Sequence, residues 1–291
     1  MRTLHHGLHR IEGEQTMLKR SIAILLFLMI PAFPGRVMGE EKVYPAADLP
    51  AKTIFPGEKI KFEISYLGLT VGDATAEVTE IVKINGRDAF HIVVDVRSRG
   101  ILDWIYRVRD THHSYVDVEH LHSLRYEKKI HEGRYWTDES MEYDQEKNLG
   151  QFFSRKDHSS KEMFIPQHVQ DQISCAYWLR TQDVKPDGKV QIPVNADEKN
   201  WDLDVFTRGT KEMTIKGVGV FQSVEVEPVV MFEGFFVRRG KICGWMSLDE
   251  RRIPLLIKVK VPVLGDVSAT LVQYEPGRAL DKTDKTEKTA Q

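Results

Sequence analysis

The sequence predicts a mainly β protein: a many-stranded antiparallel barrel or strongly curved sheet with one helix between two β halves, a β-sandwich being the alternative. Three observations carry this. Apolar and polar residues alternate over most of the chain, the period-2 signature of strands with one buried face. Turn residues recur at short, even spacing between these runs. Only the stretch near residues 170–182 shows helical spacing. Strands this numerous leave edges to be managed, and closing the sheet removes them, which favours a closed or nearly closed barrel over an open sheet.

The chain is organised around Phe55 to Val78. Ile60, Phe62, Ile64 and Tyr66 alternate with Lys61, Glu63 and Ser65, and Ala74, Ala76 and Val78 resume the alternation after Leu67-Gly68-Leu69 and Val71-Gly72. This is a strand, a glycine-marked bend and a returning strand. Asn85-Gly86 is the strongest short turn signal. Beyond it Phe90, Ile92, Val94 and Val96 form one face, with His91, Asp95, Arg97 and Arg99 on the other. A turn at Gly100 to Asp103 leads into a strand pattern of Trp104, Tyr106 and Val108, with Arg107 and Arg109 opposite. Strand-like segments follow at Tyr115 to Val118, Leu124 to Ile130, Tyr135 to Tyr143 and Gln151 to Ser154, with turns at Glu132-Gly133 and Lys147 to Gly150.

From Val169, large side chains recur at Ile173, Ala176 and Tyr177, between Pro166 and Pro186-Asp187-Gly188. Asp171 is placed to cap this helix, with Ser174 three residues on, and the helix reads as a connector packed on the sheet. Short strands then resume: Val190, Ile192 and Val194; Trp201, Leu203 and Val205; Met213 and Ile215; Val224 and Val226; Val230 and Phe232; Phe235 and Val237; and three more to Gln273. Turns are expected at Arg208-Gly209, Arg239-Gly240, Asp249-Glu250 and Leu264 to Asp266. Gly217-Val218-Gly219 marks a bend rather than a phosphate loop.

A hydrophobic content of 41% and a charged content of 29% over 291 residues are ordinary for a soluble globular protein with an ample core. The N-terminus differs. Lys19-Arg20, the apolar run Ile22 to Ile30 and Val37-Met38-Gly39 fit a secretory signal peptide over residues 1–39, with Met17 a reasonable true start. That run is too short to span a membrane, which takes roughly 20 residues. The expectation is export to the periplasm and, after cleavage, no integral membrane segment. Residues 40–54 read as an extended lead-in, 55–276 as a single β-rich domain and 277–291 as a disordered charged tail. The segment 1–39 holds five Lys/Arg and two Asp/Glu, so a chain of net charge −2 leaves a remainder at −5, the wrong sign for a general nucleic-acid binder.

No catalytic constellation is legible: no Gly-x-Ser-x-Gly elbow, no phosphate loop and no His-Glu-x-x-His helix. Asp249-Glu250 read as a solvated turn. His112-His113, His120 and His122 are the clustered histidines, and His120 with His122 would share a strand face, but a third ligand at diagnostic spacing is missing. No metal and no cofactor are therefore assigned. Cys175 and Cys243 could pair in an oxidising compartment, yet each sits in an apolar context that suits a buried thiol. The ligand-binding candidates are His91, Arg97, Arg99, Arg107 and Arg109, since guanidinium groups converging on one face suit a phosphate, carboxylate or sulfate. Asp95, Asp103 and Asp110 could neutralise them, making a salt-bridged sheet face.

Phe55-Pro56-Gly57-Glu58, the Tyr66-Leu67-Gly68 bend, Ser114 to Asp117, Glu132-Gly133, the Asp171-x-x-Ser174 helix start and Trp245 through Asp249 to Pro254 occur in this order. With them the chain resembles the exported bacterial proteins grouped as domain-of-unknown-function family 3108, over roughly residues 53 to 275. Cys175 and Cys243 depart from the plain apolar residues expected there. The resemblance implies a periplasmic β-rich domain and carries no catalytic residues. The functional expectation is a non-enzymatic periplasmic binding or envelope-maintenance protein for a lipid-like, glycan or anionic ligand. An enzyme acting on envelope polymers, or a structural module docking an envelope protein partner, are the alternatives.

Overall fold

The computed structural model describes residues 53–232, 235–236, 241–261 and 265–278. The expected signal peptide with Met17, the expected lead-in up to residue 52, the expected turn at Arg239-Gly240, Val237 and the expected tail from residue 279 lie outside them, as does Leu264 of the last expected turn.

The first half runs β1 (Lys59–Tyr66), β2 (Leu69–Ile84), β3 (Arg87–Ser98), a one-turn helix α1 (Gly100–Ile105), β4 (Arg109–Asp117), β5 (Ser123–Glu132), β6 (Tyr135–Asp144), β7 (Leu149–Ser154) and β8 (Ser160–Phe164). Helix α2 (Ser174–Arg180) follows. The second half is β9 (Lys189–Ala196), β10 (Lys199–Ile215), β11 (Gly219–Phe232), β12 (Phe235–Phe236), β13 (Lys241–Ser247), β14 (Pro254–Val261) and β15 (Gly265–Glu275). They make one antiparallel sheet in the order β8-β7-β6-β5-β4-β3-β2-β1-β15-β14-β13-β11-β10-β9, with β12 beside β11. The first and last long strands, β1 and β15, pair and fuse the two halves.

The alternating residues enter the core as their spacing demands. Ile60, Phe62 and Ile64, then Ala74, Ala76 and Val78, then Phe90, Ile92, Val94 and Val96, then Trp201, Leu203 and Val205 are all buried in one cluster. Leu67-Gly68 and Asn85-Gly86 are two-residue hairpin loops with both φ values positive (49° and 79°, 49° and 86°), the primed turn that matches strand twist. Val71 is an extra residue opposite the Ile64/Ser65 step. A Cβ on the adjacent Gly72 would lie 2.6 Å from the Arg97 carbonyl oxygen, so only glycine fits beside this bulge.

The sheet is strongly curved and barrel-like, and it is not closed by a ladder: β8 and β9 end the hydrogen-bonded path. Side chains span the gap instead. Lys161 on β8 meets Glu198 at 3.2 Å, Asn200 Nδ2 donates to the Phe164 carbonyl at 2.7 Å, and Tyr143 Oη donates to Asn195 at 3.5 Å. Strands from opposite ends of a fourteen-strand path can touch this way only if the sheet curls around on itself. Gln170 adds a short parallel bridge to β9.

Three local expectations are corrected. Gly100 to Ile105 is a short helix, not a turn at Gly100 to Asp103 leading into a strand at Trp104, and Trp104 is 89% exposed. The reason is the left-handed Gly100 (φ 63°), which breaks the strand before the alternation can resume. Arg208-Gly209 is not a turn: β10 runs through it with a register shift between Thr207 and Thr210, so one long strand replaces two. The helix is shorter than 170–182; it connects β8 to β9, with Ser174, Cys175, Tyr177, Trp178 and Arg180 buried. Asp171 does cap its first turn: Oδ1 accepts the N–H groups of Ile173 (2.7 Å) and Ser174 (2.8 Å), and Ser174 Oγ accepts the Asp171 N–H at 2.8 Å. No disulfide joins Cys175 to Cys243.

Candidate functional site

Helix α2 forms one wall of an apolar cavity of about 180 Å³. The opposing walls come from both halves of the sheet: Ile60 and Phe62 on β1, Ala74 and Ala76 on β2, Leu203 and Val205 on β10, and Leu256 and Ile257 on β14. The void has an origin in sequence. Ala74 and Ala76 stand on β2 where neighbouring strands carry Ile, Phe and Val, and Ala176 faces them from the helix. Large side chains at these three positions would fill the space. Ala176, Leu179, Val226, Ile242, Leu256 and Ile257 are only half-buried, so the cavity communicates with solvent.

Polar character is confined to one end. Arg180 forms a bidentate pair with Glu58 (2.8 and 2.6 Å), and its second terminal nitrogen also donates to the carbonyls of Thr53 and Arg251. Tyr274 Oη donates to Glu58 at 3.1 Å. Two buried atoms on the cavity-lining residues have no hydrogen-bond partner: Tyr177 Oη and Arg180 Nε. The guanidinium carbon of Arg180 lies 5.1 Å from the Tyr177 ring centroid. Burial pushes the Tyr177 phenol and the Cys175 thiol well up, with Glu58 adding to the first and Asp171 to the second. A thiol held protonated is a poor nucleophile, and its hydrogen bond goes to the Gln172 carbonyl rather than to a base. The cavity is thus lined by carbon, with the buried Tyr177 hydroxyl and Arg180 guanidinium as the polar groups among its lining residues.

The residues singled out from sequence lie elsewhere, on the outer face of β3 and β4 and beside α1. They are brought together, but not as an open cationic site. Arg97 is loosely placed 3.8 Å from Asp95. Arg99 meets Glu63 at 3.0 Å and Asp73 at 3.3 Å. Arg107 lies 3.7 Å from Asp103, and Arg109 donates to the same carboxylate at 2.7 Å. Arg109 is the principal cause holding the Asp103 carboxyl below its usual range, with Ser98 second. Four guanidinium groups therefore face four carboxylates. His91 hydrogen-bonds Thr79 (3.1 Å) and His113 (3.0 Å) and stacks on Tyr115. Burial and then His113 lower its pKa, so it contributes no fixed positive charge. The cavity was missed because no local pattern announces it; the signal was three alanines at inward positions. Exposed ion pairs of this kind are worth about 0–1 kcal/mol each, so the Arg97→Ala, Arg107→Ala double variant is expected to unfold within about 1 kcal/mol of the parent by urea titration.

Comparison with known proteins agrees with the architecture. No curated protein sequence matches the chain. Among solved structures, the β-barrel-like protein of domain of unknown function DUF1849 from Brucella abortus aligns with a TM-score of 0.53 and 8% identity, over 76% of this chain and 98% of its own. At that identity the likeness speaks for the fold alone. A protein with a YmcC-like fold from Bacteroides fragilis aligns over the same shares of the two chains at 8% identity, but its TM-score of 0.28 supports no argument. The sequence model of the family described as protein of unknown function (DUF3108) matches residues 61–272, from β1 into β15. By that match the chain belongs to the DUF3108 family.

Proposed function

We propose that this chain is a non-enzymatic binding protein of the cell envelope that holds a lipid-like ligand, with an acyl or comparable hydrocarbon chain in the cavity beside α2. The observation that carries this reading is the cavity itself: about 180 Å³, lined by carbon from both halves of the sheet and open to solvent along half-buried residues. An apolar void of roughly 150 Å³ stays dry and admits a benzene-sized guest, so this one suits a segment of a single chain rather than a bulky sterol or a glycan. The export-like segment at residues 1–39 supports an envelope location. The neutralised arginine face favours a lipid over an anion held by charge, and a polar group carried into the cavity would meet the buried Tyr177 and Arg180.

The test is uptake of a fluorescent fatty acid, cis-parinaric acid, by protein stripped of lipid with organic solvent and refolded. Saturable one-to-one binding is expected. Ala176→Trp, which places an indole in the void, should weaken it at least tenfold, while Arg97→Ala with Arg107→Ala should leave it unchanged. Absence of uptake by the parent, or uptake indifferent to Ala176→Trp in a variant with native circular dichroism, would overturn the reading.

A further inference from the structure

The turn between β4 and β5 gathers donor atoms that the sequence spacing conceals. Asp117 ends β4, and the chain then folds back through Leu121, whose left-handed φ of 54° turns His120 and His122 to one side. The two imidazoles stack with centroids 5.4 Å apart and planes 10° from parallel. They do not share a strand face, since β5 begins only at Ser123. Asp117 supplies the third group that sequence reading lacked. Its Oδ1 lies 3.2 Å from His120 Nδ1 and its Oδ2 3.9 Å from His122 Nε2, and one donor atom from each residue falls within 4.8 Å of the others. Ligands bonded at about 2.1 Å to a tetrahedral ion stand about 3.4 Å apart. The observed separations bracket that value.

A second observation points to an occupant. His122 is 5% exposed, and neither of its ring nitrogens has a hydrogen-bond partner. Buried polar atoms without partners are costly and rare. Asp117, by contrast, is held firmly: it accepts the N–H groups of Glu119 (2.8 Å) and His120 (2.7 Å) and a bond from Arg87 at 3.1 Å. Such outer contacts orient a metal-ligating carboxylate. The ring of His168 lies 5.9 Å from that of His122.

We propose that Asp117, His120 and His122 form a mononuclear site for a divalent transition-metal ion of the zinc type, with water or His168 in the fourth position. Two nitrogens and one carboxylate oxygen suit such an ion. The turn is tied to the segment leading into α2, where His168 lies, by Ser123 N donating to the Val169 carbonyl (3.2 Å) and Gln170 Nε2 to the Leu121 carbonyl (2.9 Å).

Cobalt is the probe. The full chain, with His5, His6 and His9 replaced by alanine to remove the N-terminal histidines, is stripped of metal and titrated with Co²⁺. The expected result is one equivalent with tetrahedral-type visible absorption, displaced by Zn²⁺, and a Zn²⁺-dependent rise in melting temperature. His120→Ala removes an exposed ligand and should weaken binding at least tenfold and abolish the thermal shift, with His131→Ala as the unaffected control. His122→Ala removes a buried group and can fail to fold, so His120→Ala and Asp117→Asn decide the matter. No saturable binding by the parent, or equal affinity in both of those variants, overturns the site.

Discussion

Replacing Arg180 with leucine is expected to cost about 3–5 kcal/mol of folding stability, because it strands the Glu58 carboxylate without its cation in the interior. Both side chains are almost fully buried and joined by two charge-assisted hydrogen bonds of 2.6 and 2.8 Å. The pair ties three separate parts of the chain: Glu58 immediately before β1, the end of α2, and the turn at Arg251 before β14. Each ion alone would face a desolvation penalty of several kcal/mol, which their attraction and the added carbonyl contacts offset. The double variant Glu58→Leu, Arg180→Leu is accordingly expected to recover at least half of the loss, since no uncompensated charge remains. Urea unfolding at pH 7 of the parent, the single and the double variant measures the coupling. A double variant as unstable as the single would locate the stabilisation in the carbonyl contacts to Thr53 and Arg251, not in the ion pair.

The second large effect concerns Asp110 on β4, and its sign is opposite to that of most carboxylates. The side chain is 1% exposed; Oδ1 accepts the His131 N–H at 2.9 Å, and Oδ2 has no partner. Burial pushes its pKa up to about 6, outweighing the backbone bond that lowers it. The folded state thus keeps a proton that the unfolded chain releases near pH 4. Stability from this group is present in full below about pH 4 and is lost as pH rises to about 6, by about 2–3 kcal/mol at 1.36 kcal/mol per unit. Asp110→Asn cannot ionise. Its stability relative to the parent is expected to climb between pH 4 and 6 and to level off above, so the gain appears at neutral pH and vanishes in acid. Thermal unfolding of both proteins from pH 4 to 8 checks this; a difference independent of pH would show that Asp110 titrates normally.

Strand content, the burial of alternating faces and the glycine hairpin turns were legible because they are local. Ile60, Phe62 and Ile64 alternate whatever the fold, and an alternating run buries one face once any core forms. Asn85-Gly86 made its hairpin from two residues that tolerate positive φ, and Asp171 capped α2 through an interaction three residues long. Trp104 misled because a single left-handed glycine at Gly100 outweighed the alternation that followed it. The arginines named from spacing pair with Asp95 and Asp103, as the salt-bridged alternative expected, but not with Asp110, which is buried and bonded to the His131 N–H; Asp73 and Glu63, from β2 and β1, are partners that spacing along β3 could not reveal.

By itself, then, the sequence determined the buried faces of the alternating strands and hairpins such as Asn85-Gly86, since both depend on neighbours within a few positions, but not Arg208-Gly209, through which β10 runs. Only the tertiary structure decided which strands pair, and with that the rest. The ladder of β1 on β15 joins residues more than two hundred positions apart, and no local propensity encodes such a choice. The cavity exists because alanines on β2 and on α2 line one space, and the Glu58–Arg180 pair exists because the chain folded distant groups onto one point. Packing a curved sheet around a helix is a property of the whole chain, so these sites became visible only when the sheet had curled.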